Sequence, residues 1–265
     1  MHLGTSQSAQ SRQPHAAGTP AEHKPRKQFR YHDNPEYINY TKTVSKAVDE
    51  HTLLQNRVIA GINRDPRTES YRQLRTQVRK ILDDNGWTTL AITSANDSAG
   101  KTLTATNLAI ALSRELNHTV LLVDLDLRQP SVHKTLGIEV EYGLVDVLQR
   151  KVGLEQVLVN PGFQRLVVLP GRHSEQYASE ILSSPAMTGL VDDIRTRYAT
   201  RIIIFDLPPL LRNDDAMLFA PSVEATLLVV EQGVTTADDL LRCNQLLGDC
   251  NLIGTVFNKV KGRSG

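Results

Sequence analysis

The stretch Leu90 to Thr104, LAITSANDSAGKTLT, constrains this chain more than any other. Leu90, Ala91 and Ile92 read as the end of a buried strand. Ser94 to Ala99 form a small polar loop, and Gly100-Lys101-Thr102 opens an apolar helix running to about Leu116. Strand, loop, Gly-Lys-Thr and helix is the layout of a phosphate-binding loop. In that layout Ala95, Asn96, Asp97, Ser98, Ala99, Gly100, Lys101, Thr102 and Leu103 surround an anion. Backbone N–H groups face it, and the helix dipole adds roughly half a positive charge. Lys101 would reach the outer phosphates of a nucleotide such as ATP, and the Thr102 hydroxyl would help to hold Mg²⁺. The pattern G-x-x-x-x-G-K-[ST] is not complete, because Ala95 stands at the first glycine. Asp97 brings a carboxylate that a polyphosphate repels unless it points away or meets the metal. A glycine that merely caps a strand–helix turn, beside an exposed lysine, would leave the same three residues. The remainder of the chain has to decide.

A length of 265 residues with 40% hydrophobic content allows one large α/β domain plus a tail. The formal net charge of +1 gives no reason to invoke nucleic acid. No apolar run approaches the ~20 residues of a membrane span, and MHLGTSQSAQ lacks the layout of a secretory signal. The eight histidines show no metal-ligand spacing. Cys243 and Cys250 fall on one predicted helix, too far apart for a bridge, and read as free thiols of a reducing compartment.

Residues 1 to about 33 are rich in Ser, Gln, His, Pro and Ala and are expected to be disordered. Lys24, Arg26, Lys27 and Arg30 cluster there beside Phe29 and Tyr31. Tyr37, Tyr40, Val44, Ala47 and Val48 recur at helical spacing and predict a short amphipathic helix. The division expected is an N-terminal segment 1–56 and a domain 57–265. From Thr68 a second amphipathic helix, capped by Thr or Asp, carries the stripe Tyr71, Leu74, Val78 and Ile81. Glu69, Arg72 and Arg75 recur every three residues on another face. That face is either solvated or a subunit contact.

Continuous apolar runs follow at Val120–Val123, Arg165–Leu169, Arg201–Phe205, Thr226–Val230 and Leu252–Phe257, with helical patterns between them. The alternation predicts a doubly wound, mostly parallel central sheet with helices on both faces. Asp124, Asp126 and Asp206 each follow such a run. Parallel strands bring those ends to one edge, where open α/β sheets bind ligands. Each aspartate alone would pass for a cap. Together with Gly-Lys-Thr they predict a Mg²⁺ and phosphate site, with Asp206 and Asp126 in the metal shell and Asp124 orienting or deprotonating an attacking group.

At this point the chain resembles a family. TSANDSAGKTLTATNLA, VLLVDLDLRQPSVHKTLG and IIIFDLPP, in that order, resemble the Walker A, A′ and B elements of the bacterial tyrosine kinases of polysaccharide export. ESYRQLR resembles the E-x-x-R-x-x-R helix of that family, and SEIL its ELL segment. The resemblance covers about residues 57 to 261. It implies a P-loop NTPase fold of the deviant-Walker type and a kinase-like subunit that uses ATP and Mg²⁺. Lys101, Asp124 and Asp126 would be catalytic; Thr102, Asp124, Asp126 and Asp206 would hold the metal. Asn258 would read the base, and Glu69, Arg72 and Arg75 would join subunits of a homo-oligomer. The implied setting is the cytoplasm, at the inner face of the plasma membrane. A separate transmembrane polysaccharide co-polymerase would be the activator and the link to the membrane.

The family loop carries Pro-Gly where this sequence has Asp97-Ser98, and no tyrosine follows Tyr198. Autophosphorylation on a C-terminal tyrosine cluster is therefore not expected. Tyr31, Tyr37, Tyr40 or another protein would have to accept phosphate. Two alternatives stay open. One is a nucleotide-independent scaffold with a decayed loop. The other is a positioning ATPase of the cell-division or partition type, whose signature lysine would fall at Asn96.

Overall fold

The computed structural model describes residues 43–62, 65–197 and 200–260. The basic cluster, Tyr31, Tyr37 and Tyr40 lie outside the described residues. Among the described residues eight strands are formed: β1 (Val44–Ser45), β2 (Thr89–Ser94), β3 (Thr119–Asp124), β4 (Val159–Asn160), β5 (Leu166–Leu169), β6 (Arg201–Asp206), β7 (Ala225–Glu231) and β8 (Leu252–Asn258). They make one sheet in the order β1-β4-β5-β3-β6-β2-β7-β8. Every neighbouring pair is parallel except β4 with β5. The helices are α1 (Glu50–Gln55), α2 (Thr68–Asn85), α3 (Lys101–Ser113), α4 (Val132–Leu136), α5 (Leu144–Leu148), α6 (Leu154–Val157), α7 (Ala178–Leu182), α8 (Pro185–Thr196), α9 (Asp215–Phe219) and α10 (Ala237–Leu247).

The continuous apolar runs are explained by burial on both faces. Leu121, Val123, Ile203 and Phe205 enter one core with α8 and α10. Val120, Leu122, Ile202 and Ile204 enter the other, with α2 and α3. Successive side chains of a strand alternate, so a strand covered on both sides must be apolar throughout. Helix α3 is buried along nearly its whole length, as its all-round apolar sequence requires. Its one interior amide, Asn107, is fully buried and satisfied. It accepts from Ala60 N at 2.8 Å and donates to Leu103 O at 2.9 Å. That bond ties the 3₁₀ turn Ile59–Gly61 onto α3.

Three local expectations are corrected. The helix expected through Val44, Ala47 and Val48 is not formed over its described part. Val44–Ser45 run parallel to Val159–Asn160, and Lys46 N donates to Asn160 O at 2.8 Å. An open sheet edge offers the backbone partners that the local spacing does not reveal. Helix α1 follows instead, capped by Asp49, which accepts from Thr52 N at 2.9 Å, with Leu53 in the core. Helix α2 starts after Arg67 without a side-chain cap, since Asp65 spends its carboxylate on Arg67. Cys250 lies beyond the end of α10, off the helix that carries the buried Cys243; both thiols are free.

Glu224 closes the start of β2. It accepts from Thr88 N at 2.6 Å and from Thr89 N and Oγ1, both at 3.0 Å, and it pairs with Arg195 at 3.0 Å. Burial alone would push this carboxyl up. The bonds from Thr88 and Thr89 and the charge of Arg195 outweigh it, and the group lies below the ordinary glutamate value of 4.5. Its contribution to stability is therefore complete above pH 4.5 and fades as pH falls through the lowered value. Glu224→Ala should cost about 2 kcal/mol at neutral pH, because the N–H groups of Thr88 and Thr89 lose their partner. In thermal melts the gap to the wild type should narrow once pH drops below 4.5.

Candidate functional site

Strands β3 and β6 are paired so that Asp124 lies directly opposite Asp206, and Ile92 of β2 lies opposite Asp206 on its other side. The three strand ends therefore converge where β2 runs into the loop 95–100. Asp124 and Asp206 are fully buried and Asp126 nearly so. Lys101, the first residue of α3, turns into this cluster. Its Nζ is 2.7 Å from Asp126 Oδ2 and 3.7 Å from Asp206 Oδ1. Thr102 donates to Asp206 Oδ2 at 2.6 Å, and Ser131 donates to Thr102 Oγ1 at 3.2 Å. Asp124 Oδ2 accepts from Ser131 N and Val132 N, both at 2.9 Å. The sequence did not single out Ser131, because its role comes from the turn that follows β3.

Three buried carboxylates share one lysine, and the imbalance shows in the protonation of Asp124 and Asp206. Burial, and then the Asp206 charge beside it, push Asp124 up to about 7. Burial pushes Asp206 up to about 6, with Lys101 and Thr102 pulling the other way. Burial would lower Lys101, but Asp206 and Asp126 hold its ammonium above the ordinary value. Asp124 Oδ1 and Asp206 Oδ1 are buried without a hydrogen-bond partner. Orphaned carboxylate oxygens beside a threonine hydroxyl are hard donors of the kind Mg²⁺ takes. Among the described residues no group of three or more His, Cys, Asp or Glu forms a cation cage by itself.

The loop is braced from two sides. Gly100, at φ +95°, is the residue before α3, and an added Cβ would lie 2.1 Å from Asn258 Nδ2. Asn258 donates from that nitrogen to Ala99 O at 2.8 Å, and its Oδ1 accepts from Lys259 N at 2.9 Å. The residue expected to face a base thus supports the loop backbone in this structure. Ser98 adopts φ +61°, a left-handed conformation in which glycine is the usual occupant. Asn96 Nδ2 reaches Asp239 at 3.4 Å. Asp97 turns outward and pairs with Arg212 at 2.8 Å, a partner that sequence reasoning missed. Arg128, which follows Asp126 in sequence, points away from the cluster and is held by the buried Asp215 at 2.7 Å.

The E-x-x-R-x-x-R residues lie apart from this site, on α2. Glu69 and Arg72 are exposed and 3.4 Å apart. Arg75 is engaged within the chain, its Nε 3.1 Å from Glu115.

With strand ends, loop and helix so arranged, the fold is that of a P-loop nucleotide-binding domain. The family described as the CobQ/CobB/MinD/ParA nucleotide binding domain matches residues 90–265. The chain is 32% identical over 196 residues to tyrosine-protein kinase YwqD of Bacillus subtilis, covering 73% of this chain and 81% of that protein. It is 28% identical over 231 residues to the succinoglycan biosynthesis transport protein ExoP of Rhizobium meliloti, covering 84% of this chain but 29% of ExoP. The solved kinase domain of Escherichia coli tyrosine kinase ETK superposes with a TM-score of 0.71 at 28% identity, covering 87% of this chain and 93% of that domain. The chain belongs to the CobQ/CobB/MinD/ParA nucleotide-binding family and, among its members, to the bacterial tyrosine-protein kinases. Among the described residues no helix is long and apolar enough to cross a membrane.

Gly100→Ala should lower stability by about 2 kcal/mol, part of it the cost of a side chain at positive φ. Asn258→Ala in the same chain should recover the steric part only. A melting series on the two variants and the double variant measures both components.

Proposed function

We propose that this chain is an ATP-binding, tyrosine-kinase-like subunit of an exopolysaccharide assembly or export system. It would work as a homo-oligomer on a separate transmembrane co-polymerase, at the inner face of the plasma membrane. The observation that carries the nucleotide reading is the buried cluster of Asp124, Asp126 and Asp206, short of positive charge, beside Lys101 and Thr102 at the start of α3. The polysaccharide setting is supported by what ExoP is named for, and the kinase reading by YwqD and ETK.

Bound Mg²⁺ would neutralise phosphate charge as it develops in transfer. Thr102 and Asp206 would hold it, with Asp124 and Asp126 completing or orienting the shell. The N–H groups from Ala95 to Leu103 would cradle the phosphates. Lys101 would exchange its contact with Asp126 for the outer phosphates, and Asp124 or Asp126 would orient the attacking hydroxyl. Such catalysis is mostly positioning and electrostatics, so loss of one member should be costly.

Lys101→Ala should lower ATP turnover at least a hundredfold, read as phosphate release and as phosphotyrosine formed. Unchanged turnover would remove the catalytic assignment and leave the scaffold reading. For self-association, Glu69→Ala with Arg72→Ala leaves the internal pair of Arg75 with Glu115 intact. The doubly substituted chain should show a smaller mass in light scattering, and an unchanged mass would mark that face of α2 as solvated.

A further inference from the structure

The charge of Asp97 works against any anionic ligand of the loop, and the structure shows how it is met. Asp97 Oδ1 accepts from Arg212 Nη1 at 2.8 Å, with the two side chains 52% and 42% exposed. Arg212 comes from the segment after β6, which is fastened to the loop by its backbone. Leu210 N donates to Ser94 O at 2.8 Å, and Leu211 N to Ala95 O at 3.1 Å. The guanidinium also faces Gln129. With that amide turned to present its oxygen, Oε1 accepts from Nη1 at 3.1 Å and Nη2 at 3.2 Å. Gln129 N in turn donates to Asp126 Oδ1 at 3.0 Å. One arginine thus joins the loop, the segment after β3 and the segment after β6, the three that frame the site.

We propose that Arg212 is a positioning residue of the phosphate loop: it holds Asp97 outward and cancels its charge, so that the loop accepts a polyphosphate despite its carboxylate. This inference rests on the nucleotide reading given above. The electrostatics favour it on two counts. An exposed ion pair adds little to stability, so its removal leaves the fold intact. A ligand of several negative charges within a Debye length, about 10 Å at 0.1 M salt, feels an uncancelled carboxylate strongly. Arg212 touches no reacting atom in this account. Its effect runs through Asp97 and therefore disappears when Asp97 is absent.

The test is a calorimetric titration with Mg-ATP of the wild type, Arg212→Ala, Arg212→Lys, Asp97→Ala and the double variant Asp97→Ala/Arg212→Ala. Arg212→Ala should weaken binding about tenfold or more at low salt, with the ratio to wild type shrinking as salt is raised. Asp97→Ala should bind at least as tightly as the wild type, and the double variant should match Asp97→Ala. Arg212→Lys should keep most of the affinity, since a point charge suffices. At saturating ATP, turnover of Arg212→Ala should equal that of the wild type, and its melting temperature should stay within a few degrees. A wild-type affinity in Arg212→Ala overturns the proposal. So does a double variant as weak as Arg212→Ala, which would make Arg212 a direct phosphate contact. If the wild type itself binds no nucleotide, the underlying reading fails and this proposal with it, and the two failures are told apart by that one titration.

Discussion

Two like charges on adjacent strands are the constraint around which the site is arranged. The register of β3 with β6 sets Asp124 opposite Asp206 inside the protein, where neither reaches water. Asp126 adds a third carboxylate within two residues. Such a group is costly to fold unless it is protonated, paired or ligated. Lys101 pairs with part of it, Thr102 and the N–H groups of Ser131 and Val132 satisfy more, and two carboxylate oxygens are left without hydrogen-bond partners. The cluster is incomplete as a stability device, and in the proposed function its open oxygens receive a cation carried with phosphate.

The same loop shows how a departure from the usual phosphate-loop pattern is accommodated. Asn258 from β8 fills the space over Gly100 and fixes the Ala99 carbonyl, so the last strand sets the shape of the first loop. Ser98 takes the left-handed conformation that a glycine would take more cheaply. Asp97 is turned outward against Arg212. Decay of the loop is therefore not needed to explain the substitutions, because each has a partner or a conformation in the folded chain. The two sides of the site come from segments with different duties: strand ends supply charge, while loops and β8 supply shape.

What was legible in the sequence was what depends on local pattern. The apolar runs ending at Asp124 and Asp206 announced central strands and the edge where their carboxylates meet. The apolar helix after Gly100-Lys101-Thr102 announced α3. Periodicity said nothing of β1 and β4, since two-residue strands are too short to carry a period, and their partners lie far away in sequence. It also misread Val44 to Val48, where an open sheet edge overrode helical spacing. Arg212 and Asp97 are 115 positions apart, and Asn258 and Ala99 are 159 apart. Only the sheet order brings each pair together, so the neutral state of the loop could not be read from the loop. Arg128, close to Asp126 in sequence, is drawn off by Asp215 for the same reason.

The proposed function has the buried carboxylates receive a metal carried with phosphate. It is tested most directly by titrating the wild-type chain with ATP in a calorimeter, with Mg²⁺ and then with Mg²⁺ removed by chelation. The expected result is micromolar binding, about −8 kcal/mol, with Mg²⁺, and a large loss of affinity without it. Equal affinity in the two titrations, or no heat in either, would contradict the account and leave the cluster of Asp124, Asp126 and Asp206 a structural charge network.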